Sequence, residues 1–278
     1  MDLRTALKQG VKLLEQGGIA SPRLTAELLL GHAIGRERVY FLAHPEEELT
    51  ELGWIHYGRY LHQRLERTPT QYITKKQEFW GREFRVEPGV LIPRPETEHL
   101  VEAVLAQCPK ATRIADVGVG SGTIAVTLAL ELSTHVVATD ISVAAIEIAR
   151  RNVDRLHADV SLIQCDLASA IASQSLDLFV SNPPYVPEED KPHIEPEVKD
   201  AEPAIALFAG ADGLALYPSL IADAVRTLKP LGTFMAEIGI GQSLPIAAML
   251  AAQFNSIHFI KDLAGIDRIA VAKRNEDV

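Results

Sequence analysis

The apolar positions of this chain change period about a quarter of the way along it. Over the first 70 residues they recur at helical spacing: Leu3, Leu7, Val11 and Leu14, then Leu24, Leu28, Leu29 and Ala33. Ser21-Pro22 reads as a cap followed by a first-turn proline, and Gly35 as a stop. Pro45 opens a further segment in which Leu49, Leu52, Ile55, Tyr60 and Leu65 outline one or two more helices before Thr68-Pro69. The expectation for residues 1–70 is a small helical bundle. Residues 71–92 carry short alternating stretches (Phe84, Val86; Val90, Ile92) with turn signals at Trp80-Gly81 and Pro88-Gly89, which predicts a β-hairpin linker. Pro93-Arg94-Pro95 then stiffens the chain, and Thr97 between Glu96 and Glu98 marks the start of a helix carrying Leu100, Val101, Val104 and Leu105.

Beyond that point the pattern alternates. Strands are predicted near 113–117, 135–139, 160–164, 176–181, 232–238, 255–260 and 267–273, and helices near 121–131, 142–157, 214–228 and 241–253. Such alternation gives an α/β domain over 93–278, with a mainly parallel sheet covered by helices on both faces. Ligands of such sheets bind beyond the carboxyl ends of the strands. Asp116, Asp140, Asp166 and Asn182 all fall at predicted strand ends. Glu237-Ile238-Gly239 ends another strand on the same side and either joins them or caps the next helix.

Two segments at these ends carry candidate chemistry. Gly118-Val119-Gly120-Ser121-Gly122 lies between a strand and a buried helix, where glycines let the backbone approach a ligand and the helix N-terminus favours an anion. Its glycines stand at alternate positions, which departs from the G-x-G-x-x-G dinucleotide fingerprint. Asp140, 18 residues past the last glycine, is placed to accept from ribose hydroxyls. The second segment is Asn182-Pro183-Pro184-Tyr185. Its prolines lack N–H groups, so the turn offers mainly acceptors: the Asn182 side-chain carbonyl and the Pro183 main-chain carbonyl, with the Tyr185 ring nearby. Two acceptors and a flat ring suit a planar NH2 group. Asn and Pro are also ordinary turn residues, so a plain strand-ending turn is the competing reading.

The order of these segments resembles that of the Rossmann-like S-adenosylmethionine-dependent methyltransferases that modify planar amino groups. Glu78-Phe79-Trp80-Gly81, the run Val90 to Glu98 (Val-Leu-Ile-Pro-Arg-Pro-Glu-Thr-Glu), Glu202-Pro203 and Asp212-Gly213-Leu214 make it more closely similar to the protein-(glutamine-N5) methyltransferases that act on peptide chain release factors. The resemblance covers roughly residues 68 to 275 and, more faintly, the helical N-terminal part. Val119, Lys75, Ala201 and Leu167 depart from the family pattern, and Leu167 offers adenine a smaller surface than an aromatic residue would.

The resemblance implies S-adenosyl-L-methionine as cofactor and S-adenosyl-L-homocysteine as its product. Gly118 to Gly122, Asp140, Asp166, Leu167, Asn182, Arg94 and Thr97 would contact it. Asn182, Pro183, Pro184 and Tyr185 would receive the substrate, with Asn182, Pro183 and Tyr185 catalytic. It also implies a release factor as protein partner and a substrate-recruiting role for the bundle. A glutamine methyltransferase for a ribosomal protein and an amino-directed nucleic-acid methyltransferase, which would extrude its base, are the alternatives.

The ribosomal-protein alternative differs only in what the N-terminal bundle recognises, whereas charge bears on the nucleic-acid one. The net charge is −10, with +1 on residues 1–75 (ten Lys+Arg, nine Asp+Glu) and −11 on residues 76–278 (seventeen against twenty-eight). An acidic catalytic part repels phosphate backbones, so no direct nucleic-acid partner is expected. The acidic stretch from Glu188 to Glu202, read as a long semi-stiff loop, would lie beside the site. Cys108 and Cys165 and the nine histidines show no ligand spacing, so no metal is implied. No apolar run approaches the ~20 residues that span a bilayer. A cytoplasmic monomer without a membrane partner is the expectation.

Overall fold

The computed structural model describes residues 1–276; positions 277 and 278 of the expected second domain lie outside them. The chain forms two compact units, Met1–Lys76 with Glu195–Ala201, and Gln77–Ile194 with Glu202–Val278. The first contains helices α1 (Leu3–Gln16), α2 (Pro22–Ile34), α3 (Arg38–Ala43), α4 (Glu51–Leu65) and α5 (Thr70–Thr74). In α1 the buried positions Leu3, Ala6, Gly10 and Leu14 follow a helical stripe, and Asp2 caps the helix by accepting from the Thr5 N–H. Ser21 precedes α2 in a left-handed conformation and makes no side-chain cap, so the start of that helix rests on Pro22 instead.

The α4 face differs from the one expected. Gly53, Tyr57, Leu61 and Arg64 turn inward, whereas Leu52 and Ile55 are exposed. Tyr57 lies against Gly10, where even one added carbon would collide with its hydroxyl. The flat ring and the glycine made this face invisible to a count of aliphatic residues. Arg64 pairs with Glu197 of the short helix α6 (Pro196–Lys199), which belongs to this unit although it lies far along the chain. The acidic stretch is therefore more ordered than a loop, with a 3-10 turn over Glu188–His193 and then this helix.

The second unit opens with a two-stranded hairpin, β1 (Lys76–Phe79) and β2 (Arg82–Arg85). It continues with α7 (Glu98–Gln107), β3 (Ile114–Val117), α8 (Thr123–Leu132), β4 (Val136–Asp140), α9 (Val143–Leu156), β5 (Val160–Gln164) and β6 (Leu176–Ser181). After the acidic stretch come α10 (Tyr217–Thr227), β7 (Leu228–Glu237), α11 (Ser243–Leu250), β8 (Phe254–Lys261) and β9 (Asp267–Arg274). Seven strands form one sheet in the order β5-β4-β3-β6-β7-β9-β8. β3, β4, β5, β6 and β7 pair in parallel, and β9 pairs antiparallel with β7 and β8.

Alternate residues of each central strand feed opposite cores. Ile114, Leu178 and Val180 pack with Leu100, Val104 and Leu128 on one face. Ala115, Val117 and Phe179 pack with Tyr217, Leu220 and Ile246 on the other. Burial on both faces explains why these strands read as continuous apolar runs. The sheet reverses direction of growth between β3 and β6, which opens a crevice at their carboxyl ends. No helix among the described residues is long and apolar enough to cross a membrane.

Candidate active site

A cavity of about 420 Å³ occupies that crevice, within the ~300–1,000 Å³ usual for small-molecule sites. Most of the residues singled out from sequence line it: Gly118, Val119, Gly120, Ser121, Asp140, Asp166, Leu167, Asn182, Pro184 and Thr97. Gly122, Pro183, Tyr185 and Arg94 are not among the lining residues.

The floor is the glycine loop. Gly118, Gly120 and Gly122 all have positive φ. At Gly122, the N-cap of α8, an added Cβ would come within 3.3 Å of the Ala149 Cβ on α9, so glycine serves both the left-handed turn and the close helix packing. Asp140 staples the loop to β4: its Oδ2 accepts from the Gly120 N–H at 2.9 Å and its Oδ1 from the Ser142 N–H at 2.9 Å. Thr139, one residue earlier, donates to the Leu167 carbonyl at 2.7 Å and so holds the Asp166–Leu167 turn against the end of the same strand. Asn152, fully buried on α9, was not picked out from sequence. Its oxygen accepts from the Arg85 N–H, and its NH2 donates to the carbonyls of Arg85 and Ser121, tying β2 to the glycine loop. A lone Asn on the apolar face Ala145-Ile148-Ala149 was the available signal.

Asn182 and Pro184, from the turn that follows β6, line another side. Ser181 donates to the Val117 carbonyl at 2.6 Å, fixing the end of β6 to β3. Asn182 Nδ2 donates to Thr97 Oγ1 at 3.0 Å, and Thr97 in turn donates to Glu237 Oε2 at 2.8 Å. Tyr185 donates to the other Glu237 oxygen at 2.9 Å. Glu237 thus does not cap the following helix. It ends β7 fully buried, and burial pushes its carboxyl above the ordinary range despite the two hydroxyl donors. Burial and the neighbouring Glu237 charge push the Tyr185 phenol up as well. Thr97 has no capping bond on its own helix, because its hydroxyl is spent on this network.

The segments around the turn are held by Glu202, Arg94 and Gly213, which belong to the motifs quoted above, and by Gln242, which does not. Glu202 accepts from the Ile92 N–H and pairs with Arg94, so Arg94 braces the strap before α7 rather than reaching the cavity. Gln242 donates to the carbonyls of Tyr185 and Asp212. Gly213 must be glycine: its φ is +74° and a Cβ would fall 2.1 Å from the Tyr185 carbonyl.

These residues fit an adenosyl-sulfonium ligand. A Cβ at Gly120 would meet nothing within 4 Å, leaving open volume along a backbone that lines the cavity. Asp116, fully buried beneath the loop, accepts from the Ala125 N–H with one oxygen while the other has no partner, and burial pushes its carboxyl up to about 8. Among the described residues, no group of three or more His, Cys, Asp or Glu could hold a metal ion.

Comparison with known proteins identifies the chain's relatives. Residues 5–74 match the PrmC N-terminal domain family and residues 95–200 the methyltransferase small domain family. The release factor glutamine methyltransferase of Koribacter versatilis is 42% identical, covering 99% of both chains, and that of Moorella thermoacetica 41% identical, covering all of both. Among solved structures, a methyltransferase from Pyrococcus furiosus superposes with a TM-score of 0.54 at 17% identity, over 74% of this chain and 94% of that one. The hMettl16 catalytic domain does so with a TM-score of 0.59 at 17% identity, over 78% and 81%. The structural neighbours establish the methyltransferase fold, and the full-length relatives go further: the chain belongs to the family of release factor glutamine methyltransferases, S-adenosylmethionine-dependent enzymes.

Proposed function

We propose that this chain transfers a methyl group to the side-chain amide nitrogen of a glutamine in peptide chain release factors, with Asn182 and the Pro183 carbonyl holding the target NH2. When bound, S-adenosylmethionine supplies a methyl group already activated by its positive sulfur. The Gly118–Gly122 loop would receive its methionine part and Asp140 its ribose, with Asp166 and Leu167 at the adenine. The observation that carries the reading is the orientation of Asn182. Its NH2 donates one hydrogen to Thr97, which turns the amide so that its oxygen is the end left to accept from a ligand.

The task of the residues is positional and electrostatic. An amide nitrogen is a poor nucleophile because its lone pair is delocalised. Acceptors in the amide plane hold both its hydrogens and leave the lone-pair direction free for in-line approach. As positive charge grows on nitrogen, the same acceptors bind it more strongly than in the ground state, which lowers the barrier. A general base is not required, since the proton can leave to water after transfer. The Tyr185 hydroxyl is occupied by Glu237, which fixes the ring beside the turn. The acidic charge of residues 76–278 supports a protein target over a nucleic acid.

The test is methylation of a purified release factor with labelled S-adenosylmethionine, the label being localised by peptide mass spectrometry. Label on one glutamine is expected, and Asn182→Ala should lower single-turnover transfer by on the order of a hundredfold while leaving cofactor binding largely intact. Label entering nucleic acid, or an unimpaired Asn182→Ala, would overturn the proposal.

A further inference from the structure

Glu237 lies at the end of β7, 1% exposed, and both of its oxygens accept hydroxyl hydrogens, from Tyr185 on one side and Thr97 on the other. A carboxylate has no hydrogen to give. The single hydrogen of the Thr97 hydroxyl is therefore spent on Glu237, and toward Asn182 Thr97 can only accept. That forces the nitrogen end of the Asn182 amide toward Thr97, as its 3.0 Å contact records, and leaves the oxygen as the end available to the cavity. The order is relayed from one buried charge through two neutral groups. Tyr217 anchors the base of this arrangement by donating to the Glu237 main-chain carbonyl at 2.8 Å.

We infer that Glu237 is the positioning residue that sets the polarity of the acceptor turn: through Thr97 it holds the Asn182 oxygen toward the incoming group, so that the site takes groups bringing N–H donors. The inference rests on the reading that Asn182 receives the target NH2, and it adds the reason why Asn182 presents an acceptor. Asn182 alone is ambivalent, because rotating its amide by half a turn exchanges a donor for an acceptor at nearly the same shape. A neutral side chain at 237 removes the constraint. Glutamine there keeps one acceptor oxygen but brings N–H donors; with its NH2 toward Thr97, the Thr97 hydrogen goes to the Asn182 oxygen and the Asn182 NH2 turns toward the substrate's own NH2. Two donors then face each other, and the ground-state and transition-state contacts are both lost.

The experiment is a double-mutant cycle on single-turnover methyl transfer to a release factor. Glu237→Gln and Thr97→Val should each slow transfer by at least about tenfold, with S-adenosylhomocysteine affinity within about threefold of wild type and a cooperative melt retained. Thr97→Ser, which keeps the hydroxyl, should recover most of the loss seen in Thr97→Val. In an Asn182→Ala background neither Glu237→Gln nor Thr97→Val should cost anything further, because groups acting through one residue are not additive. Losses that persist undiminished in the Asn182→Ala background, or transfer at the wild-type rate in both Glu237→Gln and Thr97→Val, would overturn the inference. If Asn182→Ala itself transfers normally, the failure lies with the acceptor-turn reading and not with the relay. Should Glu237→Gln fail to fold, Thr97→Val carries the cycle alone.

Discussion

Replacing Asp140 with alanine separates two jobs that one carboxylate performs. Within the protein it accepts from Gly120 on the glycine loop and from Ser142 at the entry to α9, each at 2.9 Å. Hydrogen bonds to a charged group are worth about 1.5–3 kcal/mol when buried. Asp140 is only partly buried, so the pair should contribute about 2–4 kcal/mol to the stability of the ligand-free protein. Each oxygen keeps a further lone pair for ribose hydroxyls, and losing those contacts should weaken cofactor binding by about 1–3 kcal/mol, or about fivefold to 150-fold in Kd. Chemical denaturation without ligand reads the first effect, and calorimetric titration with S-adenosylhomocysteine the second. Asp140→Asn retains one acceptor and should fall between wild type and alanine in both. A folded Asp140→Ala protein with unchanged affinity would refute the ribose assignment. Unchanged ligand-free stability would refute the staple, whatever the affinity.

Gly213→Ala should destabilise the protein by about 2–4 kcal/mol, since the new carbon must both adopt a left-handed φ and displace the Tyr185 carbonyl; methyl transfer should fall with it, and a denaturation midpoint equal to wild type would contradict the packing described. Asp116 gives a pH dependence. Its folded carboxyl titrates near 8, above the ordinary 3.8, so between those values the folded state holds a proton the unfolded state lacks, and stability is full at low pH and declines as pH rises. The melting temperature of the ligand-free protein should therefore drop between about pH 5 and pH 8, and Asp116→Asn should flatten that slope; an identical slope in the mutant would exclude Asp116 as its source.

Much of the fold could be read from the chain because each parallel strand is apolar throughout and each is followed by a helix or a turn. The strand ends at Val117, Asp140 and Ser181 fall where the pattern placed them, to within a residue. The glycine loop and the Asn182-Pro183-Pro184-Tyr185 turn could be picked out for the same reason: each is local, since alternate glycines or consecutive prolines constrain the backbone they belong to. The bundle was read less well. On α4 the inward face runs through Gly53, Tyr57 and Arg64, and a periodicity built from Leu52 and Ile55 selects the opposite side. Arg64 is admitted to that face by Glu197, more than a hundred residues later, so no window on α4 contains the reason.

The same limit separates the two halves of the active site. Residues that would touch the ligand sit in short motifs, whereas those that aim them do not. Thr97 and Asn182 are 85 positions apart, and Thr97 and Glu237 are 140 apart. Each of the three looks ordinary in its own neighbourhood: a helix-entry threonine, a turn asparagine, a glutamate at a strand end. Only the sheet order, which sets β7 beside β6, brings a buried carboxylate next to the turn. An asparagine in a motif specifies a hydrogen-bonding group without specifying whether it donates or accepts. That choice is made by the nearest group that cannot change sign, and here the chain of donors leading from Asn182 ends on a carboxylate. On the proposed reading, the motif supplies the shape of the acceptor and the fold supplies its polarity.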